Sequence, residues 1–301
     1  MPASSSLARL LQALVVGMVA GALLWGGAWW PRHPAIAVGG SLCIVFVHAI
    51  VLGFEFLLLR PASQGDPAPR PTAGELVVAW WREVVAGLCV FGWRQPFAWR
   101  RWPDRLQGSP GVTGLVFVHG FVCNRGFWAP WLQMATASGH PFAAVNLEPV
   151  FGDIDRYVAT IEAAVQRITA VTGKPPVLVC HSMGGLAARA WSKRHSGAAR
   201  VTHTVTIGSP HHGTWLAKFG HAASGRQMRV GSAWLAELAD GEPLAQGRYT
   251  CWYSNCDNVV FPPSTATLAG ADNRLLRGAA HVELAFRPEI MEHTFALARG
   301  D

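Results

Sequence analysis

Ser182 stands in the stretch Val177–Leu186, VLVCHSMGGL, where an apolar run gives way to glycines and then to helix-forming residues. Val177, Leu178, Val179 and Cys180 suit a short buried strand, Gly184 and Gly185 allow a sharp turn, and Leu186–Trp191 favours a helix. A serine at such a corner is lifted from the sheet toward the first backbone N–H groups of a helix, which stabilise negative charge. Serine is a weak nucleophile at neutral pH and needs a base, and the base needs a third group to hold it.

Four histidines compete for the base. His181 adjoins the serine and should point away from it. His211 and His212 lie in SPHHGT after a strand, and His281 lies in GAAHVEL before the last helix. The last position lets an imidazole hang over the top of a sheet, so His281 is preferred. Asp257 is the preferred acid, because it follows the strand-like CWYS and precedes the apolar Val259, Val260 and Phe261. Asp240 reads better as a solvated helix-end carboxylate, and Glu283 is too close to His281 to orient it.

These groups require a scaffold. From residue 112 strand-like and helix-like segments alternate: strands near 114–119, 141–146, 177–181, 201–207 and 249–253, with helices near 128–138 and 153–172. Such alternation predicts an α/β fold with a mainly parallel sheet covered on both faces. Gly213–Gln246 breaks the rhythm and is expected to be a lid or cap, its Trp215, Leu216, Phe219, Met228, Trp234, Leu235 and Leu238 covering a pocket, with a helical excursion that merely packs this apolar stripe on the core as the alternative.

The first hundred residues differ in character. Leu10–Trp30 carries no formal charge and is long enough to cross a bilayer, and Ala35–Leu59 is a second apolar run holding only His48 and Glu55. The expectation is a membrane anchor at 1–60, a transmembrane hairpin with helices at about 10–30 and 35–59. Residues 61–111 are expected to be a Pro-rich linker followed by an interfacial segment. Within it, Leu76–Trp93 reads as an amphipathic helix on the membrane or against the domain, since Arg82 and Glu83 at its middle are expensive in lipid. Arg9, Arg60, Arg70 and Arg82 flank the hairpin, against Arg32 in its turn, which favours both ends in the cytoplasm.

Composition limits the partners. The net charge is +7 with no Lys/Arg block, so no nucleic-acid footprint is expected. Fourteen tryptophans against three tyrosines point to a lipid-contacting surface. Six cysteines are too few for a disulfide scaffold, although Cys251 and Cys256 are close enough for a small loop outside the cell. His211, His212 and His221 are more consistent with loop fixing than with metal binding, so no metal is expected.

Residues 112–298 resemble the α/β-hydrolases of the lipase and esterase kind. The resemblance rests on FVHGF at 117–121, CHSMGG at 180–185, TIGSPHHGT at 206–214, DNVVFP at 257–262 and GAAHVEL at 278–284. SPHHGT is similar to bacterial lipases that act at lipid surfaces. The departure is Cys180, where the family elbow has its first glycine. The resemblance implies a 112–301 catalytic domain of α/β-hydrolase fold, with Ser182 as nucleophile, His281 as base and Asp257 as orienting acid. Its oxyanion donors are the backbone N–H groups of Phe121 and Met183, and it needs no cofactor. The expected activity is hydrolysis of carboxylic esters of lipids or other hydrophobic acyl substrates, at a bacterial inner membrane crossed more than once. Thioester or amide cleavage, and a catalytically silent membrane interaction protein, are the alternatives.

Overall fold

The computed structural model describes residues 5–107, 111–196, 199–240 and 248–300. Its centre is a six-stranded, all-parallel sheet: β1 (Leu115–Val118), β2 (Phe142–Ala144), β3 (Val177–His181), β4 (His203–Ile207), β5 (Tyr249–Tyr253) and β6 (Asp272–Leu275), in the spatial order β2-β1-β3-β4-β5-β6. Alternate side chains of each strand feed opposite cores. Val116, Val118, Leu178 and Cys180 pack on one face with Ile161, Ile168, Leu186 and Trp191. Leu115, Phe117, Val177, Val179, Val205 and Ile207 pack on the other with Trp131, Ile290 and Phe295. Burial on both faces is why the central strands read as continuous apolar runs rather than alternating ones. The edge strand β6 is half exposed, so its sequence DNRL carries no apolar pattern and gives no warning of a strand.

Helices cover both faces. α6 (Ala129–Ala137) and α12 (Pro288–Arg299) lie on one, α7 (Val158–Thr172) and α8 (Met183–His195) on the other. Short helices α9 (Ala223–Gln227) and α10 (Ala233–Ala239) follow β4, and α11 (His281–Leu284) precedes α12. The chain leaves β1 toward β2 on one side and reaches β3 on the other, so β1 and β3 flank a topological switch point. At such a point the connecting loops diverge and open a crevice at the carboxyl ends of the strands.

Ahead of the sheet come α1 (Ser6–Trp29), α2 (Pro34–Val45), α3 (Val47–Ala62) and α4 (Ala73–Gly87). α4 continues through a π-helical stretch, Leu88–Arg94, into α5 (Gln95–Phe97). Ser6–Trp29 and Ala73–Phe97 are each long and apolar enough to cross a membrane. The second apolar run differs from the single helix expected over 35–59: it is broken at Phe46, and α2 and α3 meet at a bend of 60°.

The segment expected to be a linker is fastened to the sheet domain. Asp66 accepts hydrogen bonds from the backbone and hydroxyl of Ser264, and Glu75 pairs with Arg277 at 3.1 Å. α1 begins against the domain as well, where Ser5 and the amide of Ser6 bond Glu148 at 3.0 Å and Leu7 is fully buried. At the carboxyl end of the edge strand β2, the guanidinium of Arg125, with no exposed side-chain surface, pairs with Asp104 at 2.7 Å and donates to the carbonyls of Trp102 and Ala144. Asp104 is held further by Arg167 and the amide of Ala144. Cys251 and Cys256 are free thiols buried in separate clusters, not a disulfide loop.

Candidate active site

Ser182 follows β3 and precedes the first residue of α8, with φ 54° and ψ −130°, a backbone region that side-chain-bearing residues avoid. Its amide is tied to the carbonyl of Ile207 at 2.9 Å, so the strained corner is held by the neighbouring strand. The two glycines that follow are sterically required. A Cβ at residue 184 would run into the backbone carbonyl oxygens of Val118 and His119, and one at residue 185 into the side chain of Ser209. Cys180 faces the α7/α8 core, fully buried beside Val118 and Leu186. That core has room for a thiol where other elbows carry glycine, and burial pushes its ionisation up, so it is an inert packing group.

The second wall comes from the loop after β1. A Cβ on Gly120 would lie 2.7 Å from Ser182 Cβ and 3.3 Å from its Oγ, so residue 120 must be glycine for the loop to approach the serine. His119, 1 % exposed, fixes this loop instead of reaching into the site. Its Nδ1–H donates to the carbonyl of Gly120 at 2.9 Å, and its Nε2 accepts from the amide of Leu147 at 3.0 Å. Burial lowers its pKa to about 4, against the opposing Gly120 bond, so it is neutral. Phe121 packs edge-on against Phe151, and Val122 takes a positive φ of 52°. Farther along, Asn124 donates its backbone N–H to Gln95 Oε1 at 2.5 Å and its side-chain NH2 to the Gln95 carbonyl at 3.0 Å. The end of the N-terminal helical segment thus pins the β1 loop.

Asp257, in the loop after β5, is buried. Its Oδ1 accepts the amides of Val259 (2.9 Å) and Val260 (2.7 Å), and its Oδ2 lies 2.9 Å from His281 Nδ1. Gly208, at φ 55°, makes space for this pair, since a Cβ there would sit 2.9 Å from Asp257 Oδ2 and 3.2 Å from His281 Nδ1. Burial by itself lowers the pKa of His281. The charge and hydrogen bond of Asp257 outweigh it, Glu83 and Glu55 act in the same direction, and the net shift is upward from the ordinary value of 6.5.

The backbone of His281 is fixed from several sides. Its amide donates to Asn258 Oδ1 at 3.2 Å, its carbonyl accepts from His181 Nε2 at 3.1 Å, and the following amides of Val282 and Glu283 are held by Glu83. His181 is sandwiched between Phe127 and His281, with ring centroids 4.4 and 4.6 Å away. Burial, then the neighbouring His281 charge, drives its pKa well down, so it serves as a neutral support.

The competing candidates lie elsewhere. His211 is buried with its Nε2 3.0 Å from Thr206 Oγ1, its carbonyl taken by Arg189, and its pKa depressed chiefly by burial. His212 is bound through its amide to Thr265. Among the described residues no group of three metal-type ligands converges. Ser182, His281, His181, Gly120 and Phe121 all border one cavity of about 990 Å³, at the upper end of the range for small-molecule sites. Its cover differs from the expected lid. The outer walls are built by α1, the end of α2, α3 and the α4–π segment, and residues 213–240 contribute no lining. That stretch instead packs Ala217, Met228, Leu235 and Leu238 on the α7/α8 core, while 241–246 lie outside the described residues.

Two residues of this centre were not assigned to the site from the sequence. Asn258 bridges the His281 amide and Glu55, and Glu83 braces the residues after His281. Glu55 and Glu83 were conspicuous only as charges in apolar runs.

A parallel sheet with a strained serine elbow at its switch point and a buried Asp–His pair on the next loops defines an α/β serine-hydrolase type of domain. The chain belongs to the alpha/beta hydrolase family, whose model matches residues 115–292. Among solved structures it is similar to the mature Bacillus licheniformis lipase BlEst2, at 18 % identity and TM-score 0.56, over 66 % of this chain and 96 % of that one. It is also similar to Aspergillus fumigatus lipase B, at 16 % identity and TM-score 0.58, over 100 % of this chain and 84 % of that one. At these identities the likeness is one of fold. No curated protein matches the chain.

Proposed function

We propose that this protein is a membrane-attached serine hydrolase that cleaves carboxylic esters of hydrophobic acyl substrates through an acyl-enzyme. The observation that carries this reading is the 2.9 Å contact between His281 Nδ1 and buried Asp257 Oδ2, at the same cavity that the Ser182 elbow borders.

In this reading Asp257, already satisfied by two backbone amides, accepts the Nδ1–H of His281 and leaves Nε2 free as the base. His281 takes the hydroxyl proton as Ser182 Oγ attacks the ester carbonyl. The developing oxyanion is received by the backbone N–H of Met183, which as the first residue of α8 has no partner within its helix, and by that of Phe121 on the β1 loop. The protonated His281 then gives its proton to the leaving alkoxide. Water, activated by the same imidazole, releases the acid and regenerates Ser182.

The membrane reading rests on the helices. α1 and α3 both begin or end against the sheet domain, through Ser5–Glu148 and Glu55–Asn258, while their far ends meet α2. This arrangement fits a hairpin that leaves and returns on one side, with the bent α2–α3 pair as its second limb. The flanking arginines favour the cytoplasmic side for both ends. α4 touches the domain near its start, its middle and past its end through Glu75, Glu83 and Gln95, so it lies along the domain rather than across the bilayer.

The direct test is labelling of the detergent-solubilised full chain with a serine-reactive fluorophosphonate. Labelling that disappears in Ser182→Ala supports the reading, and a folded protein that takes no label at Ser182 refutes it.

A further inference from the structure

The cavity at Ser182 does not end at the sheet domain. It runs outward between α1 and α3, where Leu11, Val15 and Met18 recur on one face of α1 and Val51, Val47 and Ile44 border it on the returning limb. The inner end is fixed by chemistry: Glu55 of α3 receives Asn258, the neighbour of Asp257, at 2.7 Å. The outer end is fixed by length. From Glu55 to Val47 an α-helix rises about 12 Å, and from Leu11 to Met18 about 10 Å. The wall that the N-terminal segment supplies is apolar apart from His48, Glu55 and Glu83. Two wall residues keep much of their surface exposed, Leu14 at 59 % and Val51 at 52 %, and Leu23, Phe54 and Leu57 of the same two helices are exposed as well.

We infer that this channel is the acyl-chain site, and that the substrate is an acyl ester already resident in the bilayer, whose tail slides in between α1 and α3 with its carbonyl at Ser182. The inference rests on the serine-hydrolase reading for its chemistry, while the outer part of the channel is lined by the N-terminal helices. An apolar channel open toward lipid and closed inward on a nucleophile excludes water from the tail, and burying each methylene there favours long chains. The occupant is the tail and not a free headgroup, because the polar groups converge only at the inner end and at the single His48.

Two measurements test it with the full chain in detergent micelles. The first compares para-nitrophenyl butyrate with para-nitrophenyl palmitate for the native protein, Met18→Trp, Ile44→Trp, and the outward-facing control Leu24→Trp. Filling the outer channel should lower kcat/KM for palmitate by about 10-fold or more and leave butyrate within about 2-fold, while Leu24→Trp changes neither. The second measures binding of dansyl-undecanoic acid to Ser182→Ala with and without Met18→Trp, which reports the channel without chemistry. Weakened binding in the double variant supports the channel even if no ester is cleaved, in which case the hydrolase reading alone fails. Equal binding in both proteins, or palmitate and butyrate rates that fall together, overturns the inference.

Discussion

The carboxylate of Glu83, at the middle of α4, accepts the backbone amide of Val282 at 2.9 and 3.1 Å, one residue after His281. It also accepts the amide of Glu283 at 3.0 Å, so a helix outside the sheet domain supplies the carboxyl group that holds the first turn of α11, with burial raising its pKa to about 7 against the pull of those two amides. Sequence alone makes Glu83 a costly charge in an apolar stretch. In the fold it faces inward, fully desolvated, and acts on the proposed base through the backbone.

Glu83→Gln should therefore slow turnover without weakening substrate binding. A charge-assisted hydrogen bond of this kind contributes about 1.5–3 kcal/mol, and misplacing the imidazole should lower kcat on the order of 10-fold with KM little changed. The charge of Glu83 also favours protonated His281, so its removal should move the acidic limb of the rate profile to lower pH. A purely structural role would leave that limb where it was.

The acidic limb in the native protein follows from the same group. Below its pKa His281 is protonated and cannot take the Ser182 proton, so activity falls as pH drops. With that pKa raised, half-maximal kcat/KM on the acid side should lie above 6.5. Asp257→Asn removes the largest stabiliser of the imidazolium, so the limb should shift down while the rate falls on the order of 10³–10⁴-fold. Stopped-rate ester assays from pH 5 to 9 measure both, on the scale of ordinary histidine titration.

Gly208→Ala isolates the geometry of the Asp–His pair. The new methyl would stand 2.9 Å from Asp257 Oδ2, and a φ of 55° adds strain of about 1–2 kcal/mol. Fluorophosphonate labelling of Ser182 should become at least about 10-fold slower while the thermal transition survives. Unchanged labelling would argue that the pair does not govern the serine.

Arg125 and Asp104 make a stability prediction away from the chemistry. Arg125→Met leaves Asp104 largely buried with only Arg167 and one amide as partners, and removing one member of a buried pair costs about 3–5 kcal/mol. Thermal unfolding should show the loss, and Asp104→Asn in the same background should restore part of it.

Much of the domain was legible in the chain. The β3–α8 corner is local chemistry: an apolar run, a serine, and two glycines that no other residue can replace against Val118, His119 and Ser209. β1 to β3 were visible as nearly continuous apolar runs because they are buried on both faces, and β4 and β5 by their β-branched and aromatic residues, whereas β6 was silent because half its surface meets solvent. Ser182, Asp257 and His281 were each singled out by residue type and neighbours, but the Asp257–His281 contact joins loops 24 residues apart. The bend at Phe46 was hidden, since apolar composition specifies that a segment avoids water and not that it runs straight.

What tertiary structure alone decided is the covering of the site. The lipophilic segment 213–240 looked like a lid, yet Ala217, Met228, Leu235 and Leu238 pack into the α7/α8 core, and the walls over Ser182 come from α1, the α2–α3 pair and the α4–π segment more than a hundred residues upstream in places. Glu55 and Glu83 likewise acquire their roles only through partners some 200 residues away, Asn258 and Val282. A sequence fixes which residues must leave water and where the chain can turn, because both are local properties. Which buried face meets which, and which charge finds its partner, is settled by long-range packing, where several pairings satisfy the same apolar pattern and only the assembled fold chooses among them.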